Sequence, residues 1–496
     1  MTHDFHNNTN SGGSTFGNTP QPSGKEKLSF MDRLRKVKTT RWIRFGIVSA
    51  IFFFWVVLMG NAWLALLWFL LADIYITGFV PWGWWKSHKG ATRAVMAWVD
   101  AIVYALVLIY FVFAFVGQQY EIPSSSLEKT LLVGDRLWVD KATFGARVPQ
   151  TPIHFPLAQH TLPFFDVKSY IDNPQLKYHR LPGIREIGRG DIVVFNYPQG
   201  DTVAVKIPNP DYYQISYDLR NQGITNPLEY IKSHKELFGE VVVRPVDRRE
   251  NYVKRTIGLP GERIRISNDT IYINGKAIAE PEDVQFNYIV PVNGPIDMEK
   301  WLDLGVRAED AAAGPERNDH AGFAYYNIPL TKKMKAELEK WPEVVGPLQR
   351  ESESRFYDLG NVFPLGAPYG WTRDNMGEFW IPKRGSTLHL TADNYPIYER
   401  AIRTYEGNDL QMRDGKFYIN GVETEYYTFK MDYYWMMGDN RDRSADSRYW
   451  GFVPEDHVVG EPVFVILSMD ADRSLTNGKI RWNRIFKRPN PDGNLE

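Results

Sequence analysis

From Arg44 to Val80 the chain is almost continuously apolar, and nothing else in its 496 residues limits the possible folds so strongly. A straight helix over that run would be roughly 55 Å long at about 1.5 Å per residue, well beyond a hydrocarbon layer of roughly 30 Å. Gly60 and Asn61 stand near its middle, so the run reads as a hairpin of two short spans, 43–59 and 62–79, joined by a tight turn. One long tilted span with an outside amino terminus is the competing reading. A second apolar run, Ala101 to Gly117, predicts a further span at 100–117.

Basic residues set the expected topology. Arg33, Arg35, Lys36, Lys38, Arg41 and Arg44 precede the hairpin, and Lys86, Lys89 and Arg93 precede the last span, so both segments are expected on the cytoplasmic side. An even number of crossings between them satisfies that rule and puts everything after Gly117 on the outer side. Residues 1–42, rich in Asn, Ser, Gly and Thr and then basic, read as a disordered cytoplasmic tail, with 81–99 as a cytoplasmic loop.

A formal net charge of -1 argues against nucleic acid as a partner. The absence of cysteine excludes thiol catalysis, thiolate metal sites and disulfides. Ten scattered histidines show no metal-ligand spacing, so neither a metal nor a cofactor is expected.

Beyond Tyr120 short segments rich in Val, Ile, Tyr and Phe alternate with Gly, Pro and Asn-Gly punctuation, the pattern of a mainly β domain. The strongest strand candidates are Asp191–Tyr197, Arg263–Ile266, Thr270–Ile273 and Val463–Ser468. Thr270–Lys276 (TIYINGK) and Lys416–Val422 (KFYINGV) resemble each other, and each carries the Asn-Gly of a tight hairpin. Residues 280–413 are more polar and contain a helical candidate, Thr331–Trp341, which suggests an inserted α+β subdomain. It would divide the β domain into 118–279 and 414–486, followed by a tail, 487–496.

Three stretches of this domain carry candidate chemistry. Ile122–Gly134 (IPSSSLEKTLLVG) holds three serines beside apolar residues that would pin them against a packed surface. Tyr252–Gly261 (YVKRTIGLPG) holds Lys254 among apolar neighbours. A serine needs a base to take its proton during attack, and a lysine can serve when burial keeps its amine neutral. Taken alone, the serines could be a polar linker and Lys254 an ordinary solvated side chain. In Met436–Pro454 (MMGDNRDRSADSRYWGFVP) acids and arginines alternate between apolar flanks, which suits a self-paired network whose Ser444 hydroxyl could orient a lysine amine. A calcium loop is excluded, because Arg441 and Arg443 occupy alternate positions after Asp439 and the EF-hand glycine and glutamate are missing.

Together, in this order after a membrane span, the three stretches resemble bacterial signal peptidase I, the serine/lysine leader peptidase, in the longer form found in Bacteroidetes. The resemblance covers most of the part beyond the membrane except the insertion. It implies a membrane-anchored, β-rich peptidase domain in the cytoplasmic membrane, cutting signal peptides from exported preproteins after small-x-small sites. It further implies Ser126 as nucleophile, Lys254 as general base, and an oxyanion hole from the Ser124 hydroxyl and the Ser126 N–H. Ser444 would position Lys254, while Gly438, Asp439, Asp446, Arg448 and Arg255 would support the site, and Ile122, Pro123, Leu131, Tyr252 and Val253 would line the substrate groove. Preproteins, membrane lipid and the secretion translocon are the expected partners. A peptidase devoted to one substrate and an inactive membrane scaffold are the alternatives. Two positions depart from the family pattern: Leu127 stands for the usual methionine and Lys129 for the usual proline.

Overall fold

Gly60 ends the first helix, Thr39–Met59, in a left-handed conformation with φ 62° that a side chain would disfavour. Asn61 then starts a second helical stretch, its side chain accepting from the Trp63 N–H at 3.0 Å. This stretch, Ala62–Thr77, passes through 3₁₀, α and π geometry. Trp68 Nε1 donates to Ser49 Oγ at 2.9 Å, so the two helices pack as a hairpin rather than forming one continuous rod. Most of the hairpin's large apolar side chains face outward, with Val57 77% exposed. The computed structural model describes residues 37–163, 167–318, 323–351 and 361–489, so most of the expected tail 1–42 and all but the start of the tail 487–496 lie outside the described residues.

The chain divides after Trp98 into two units. Two helices among the described residues are long and apolar enough to cross a membrane, Thr39–Met59 and Ala91–Val116, with mean hydropathies of 2.1 and 2.5, and Ala62–Thr77 is shorter. The last helix begins earlier than the expected span 100–117, because residues 91–99 contain no breaker and Asp100 sits inside the helix rather than before it.

In the second unit Gly117 leaves the helix in extended geometry and opens a seven-stranded antiparallel sheet. Its strands are β1 (Gly117–Glu121), β2 (Asp135–Asp140), β3 (Ile192–Asn196), β4 (Asn251–Gly258), β5 (Tyr433–Met437), β6 (Val453–Pro454) and β7 (Val458–Ser468), in the order β1-β2-β7-β3-β4-β5-β6. Strand β7 therefore lies between β2 and β3, and bulges interrupt its pairing with both. Ile122, Leu127, Leu131, Leu137, Ile192 and Val194 form one core against this sheet.

The two Asn-Gly hairpins fold as expected. Asn274 and Gly275 have φ of 50° and 79°, and Asn420 and Gly421 of 52° and 82°, the double left-handed geometry of a tight turn. Their strands share a core with Ile257, Phe379, Trp435 and Phe452. The stretch 280–413 falls into two parts. Residues 285–350 build their own four-stranded sheet around Val290, Trp301, Ile328 and Leu338. From Phe363 onward the buried apolar residues join the hairpin core instead. The expected helix over Thr331–Trp341 is the shorter Lys332–Leu338, capped by Thr331 Oγ1 accepting from the Met334 N–H.

Candidate active site

Strand β4 pairs with β3 on one side, Lys254 opposite Val193, and with β5 on the other, Met437 opposite Arg255. Lys254 is thereby fixed mid-sheet and buried. The chain between β1 and β2 forms a short helical turn, Ser125–Leu127, pinned by buried Leu127 and Leu131. This turn brings buried Ser126 to the lysine: Nζ and Oγ are 2.7 Å apart, and Nζ also donates to the Val253 carbonyl at 3.1 Å. Burial lowers the Lys254 pKa from 10.5 to about 8, against the opposing pull of the Asp446 and Asp439 carboxylates. A neutral amine offers a lone pair, so the pair is suited to passing the serine proton to nitrogen.

The loop after β5 closes around the pair. Asn440 N–H donates to the Ser126 carbonyl and Asn440 Nδ2 to the Ser125 carbonyl, both at 3.1 Å. Arg255 grips Asp439 with two parallel bonds, Nε to Oδ1 at 2.8 Å and Nη2 to Oδ2 at 2.7 Å, and Thr130 Oγ1 donates to Oδ2 at 2.6 Å. A second fork joins Arg448 to Asp446, which also accepts from the Gly438 N–H at 3.0 Å. Burial alone would raise the Asp446 pKa, but Arg448 and that N–H more than offset it and the net shift is downward. A Cβ on Gly438 would lie 2.2 Å from Ser444 Oγ and 2.5 Å from the Ser126 carbonyl oxygen, so only glycine admits this approach.

The sequence candidates thus fall into groups. Ser126, Lys254, Gly438, Asp439, Asp446, Arg448 and Arg255 are linked as described. Ser444 is buried beside Gly438, but its Oγ has no hydrogen-bond partner among the described residues and the Lys254 amine bonds elsewhere. Ser124 is exposed in extended geometry, its side chain making no bond to the following turn. Ile122 and Leu131 share a core with Val253 packed against it, whereas Tyr252 stacks on Tyr197 at 4.6 Å beside Trp450, as strand alternation requires. Pro123 is exposed. Asn440 and Thr130 were not singled out by sequence reasoning. Their place inside the motifs was the available signal, and side-chain type alone does not reveal a backbone-bracing role.

Residues 95–290 and 389–467 match the family described as signal peptidase, peptidase S26. The chain belongs to that family. Membership carries the activity of a serine endopeptidase that removes signal peptides. Signal peptidase I of Helicobacter pylori (strain ATCC 700392 / 26695) is 22% identical over 406 residues, covering 80% of this chain and 93% of that protein. Signal peptidase I of Buchnera aphidicola subsp. Acyrthosiphon pisum (strain APS) is 54% identical over 377 residues, with 76% of each chain covered. The family match skips residues 291–388, which include most of the separate four-stranded sheet.

Proposed function

We propose that this family member cuts preproteins through Ser126 and Lys254. The 2.7 Å contact between a serine hydroxyl and a buried lysine amine carries the reading. Neutral Lys254 takes the Ser126 proton as Oγ attacks the scissile carbonyl, and the resulting ammonium returns it to the departing amine of the mature chain. Water, deprotonated by the same amine, then hydrolyses the ester. The Ser124 hydroxyl, unused by the turn that follows it, and the Ser126 N–H, at the start of a turn where N–H groups lack internal partners, donate to the oxyanion. Asp446, Arg448, Arg255, Gly438 and Asp439 hold the loops in register, and Ser444 packs beside Gly438 without a side-chain hydrogen bond among the described residues. Ile122, Pro123, Leu131 and Val253 shape a shallow groove that excludes large side chains at the first and third positions before the cut, while Tyr252, on the face of β4 opposite Val253, stacks on Tyr197 and does not line it.

The helices Thr39–Met59 and Ala91–Val116 anchor the enzyme in the cytoplasmic membrane, with Ala62–Thr77 completing a hairpin, three crossings in all, and the peptidase domain on the outer side. The catalytic β domain spans 118–279 and 414–486, with 280–413 inserted. Membrane lipid surrounds the helices and the secretion translocon delivers the preproteins.

Cleavage of a preprotein with an Ala-x-Ala site by detergent-solubilised protein tests the chemistry. Ser126→Ala and Lys254→Ala are each expected to abolish cleavage while leaving the thermal unfolding transition in place. Activity retained in either refutes the pair. Because the chain has no cysteine, single cysteines introduced at Ser87 and Ser474 report sidedness with an impermeant thiol reagent. Labelling of Ser87→Cys rather than Ser474→Cys in intact cells overturns the topology.

A further inference from the structure

Lys129 stands where the family usually has proline, and its backbone explains why proline cannot: φ is 76°, while a proline ring holds φ near -65°. A non-glycine residue rarely adopts this left-handed geometry, so something outside the turn must hold it. The Lys129 amine reaches across 176 residues of sequence to donate to the Gly305 carbonyl. That carbonyl belongs to the left-handed cap, φ 94°, ending the helix Met298–Leu304. Both Gly305 and that helix lie in the stretch the family match skips.

Residues just before and within that stretch also grip the other side of Ser126. Gln285 N–H donates to the Asp439 carbonyl at 2.9 Å, directly before the Asn440 whose N–H holds the Ser126 carbonyl. Asn287 N–H donates to Asp442 Oδ2 at 2.8 Å, and Arg443 pairs with Asp310 at 3.0 Å. Segment 285–350 therefore touches the serine turn three residues after Ser126 and the loop that bonds its carbonyl.

We infer that segment 285–350 positions the serine turn, with Lys129 as the latch: its bond to Gly305 holds the left-handed turn that sets Ser126 Oγ against Lys254. Lys129 is a positioning residue whose contact reaches into the stretch the family match skips. The inference rests on Ser126 being the nucleophile.

Full-length protein in detergent carries the test. Lys129→Met removes the amine, Lys129→Gly removes it while accepting the positive φ, and Lys129→Arg keeps a donor. Loosening an attacking group by about 1 Å costs on the order of 10²-fold, so Met and Gly are expected to lower kcat about 10- to 100-fold with KM changed less than about two-fold. Lys129→Arg restores most of the rate, and Lys129→Pro, the family's own residue, is inactive. Backbone amide exchange at Thr130 and Leu131 should be faster in Lys129→Gly than in the parent. Parental kcat and exchange in Lys129→Gly overturn the inference, as does a raised KM with unchanged kcat, which would make the segment a substrate-binding element. If Ser126→Ala still cleaves, the nucleophile assignment and the positioning claim both fall, whereas the exchange measurement still decides whether the latch exists.

Discussion

Replacing Lys254 by methionine separates what the lysine does for the reaction from what it costs the fold. Its amine pKa falls from 10.5 to about 8 on folding because burial disfavours the ammonium. At about 1.4 kcal/mol per pKa unit, folding the protonated form costs about 3 kcal/mol. Between pH 8 and 10.5 the unfolded chain binds more protons than the folded one, so stability rises with pH in that window. Below pH 8 the cost is present in full. Methionine removes the charge but also the contacts to Ser126 and the Val253 carbonyl, each worth about 1 kcal/mol. At pH 7 Lys254→Met should therefore be more stable than the parent by about 1 kcal/mol, and near pH 10.5 less stable by about 2 kcal/mol. Urea unfolding of detergent-solubilised protein across pH 7 to 10.5 measures this difference, and other titrating groups cancel because both proteins carry them. A difference that does not change across that range refutes a buried, neutralised lysine. Parent cleavage should rise about ten-fold from pH 7 to a plateau above pH 9, following the neutral amine.

The other expectations concern groups around the pair. Gly438→Ala would force a methyl against the Ser126 carbonyl and Ser444, and should lower kcat by on the order of 10²-fold, measured on the same preprotein. Asp439→Asn breaks a buried fork with Arg255 and should cost about 3 to 5 kcal/mol in urea unfolding, whereas replacing both residues with apolar ones should recover much of that loss. Ser124→Ala should reduce kcat about 10²- to 10³-fold with little change in stability, since the hydroxyl is exposed and makes no bond to the following turn. An unchanged kcat in Ser124→Ala removes that hydroxyl from the oxyanion hole.

Local signals in the chain were faithful where a short segment decides its own shape. Asn274-Gly275 and Asn420-Gly421 turn as their residues require, because positive φ is a property of one or two residues. Gly60-Asn61 likewise breaks the first apolar run, since a glycine end and an asparagine cap act within one helical turn. The helix Ala91–Phe111 was legible as apolar but not in its start, because helix formers before Asp100 extend it without changing its hydropathy. The stretch 280–413 gave no sign of its division between two cores, which depends on which distant apolar faces meet.

By itself the sequence determined the apolar helices, the mainly β pattern and the family, since these follow from periodicity, hydropathy and local motifs. Tertiary structure alone decided that Ser126 and Lys254, 128 residues apart, meet at 2.7 Å, and that the lysine is buried there. It also decided that Lys129 reaches Gly305, an anchor nothing in its own motif foretells. The physical reason is that a pKa and a hydrogen bond depend on the surroundings of an atom in space, and those surroundings come from strands and loops the chain brings together only when folded.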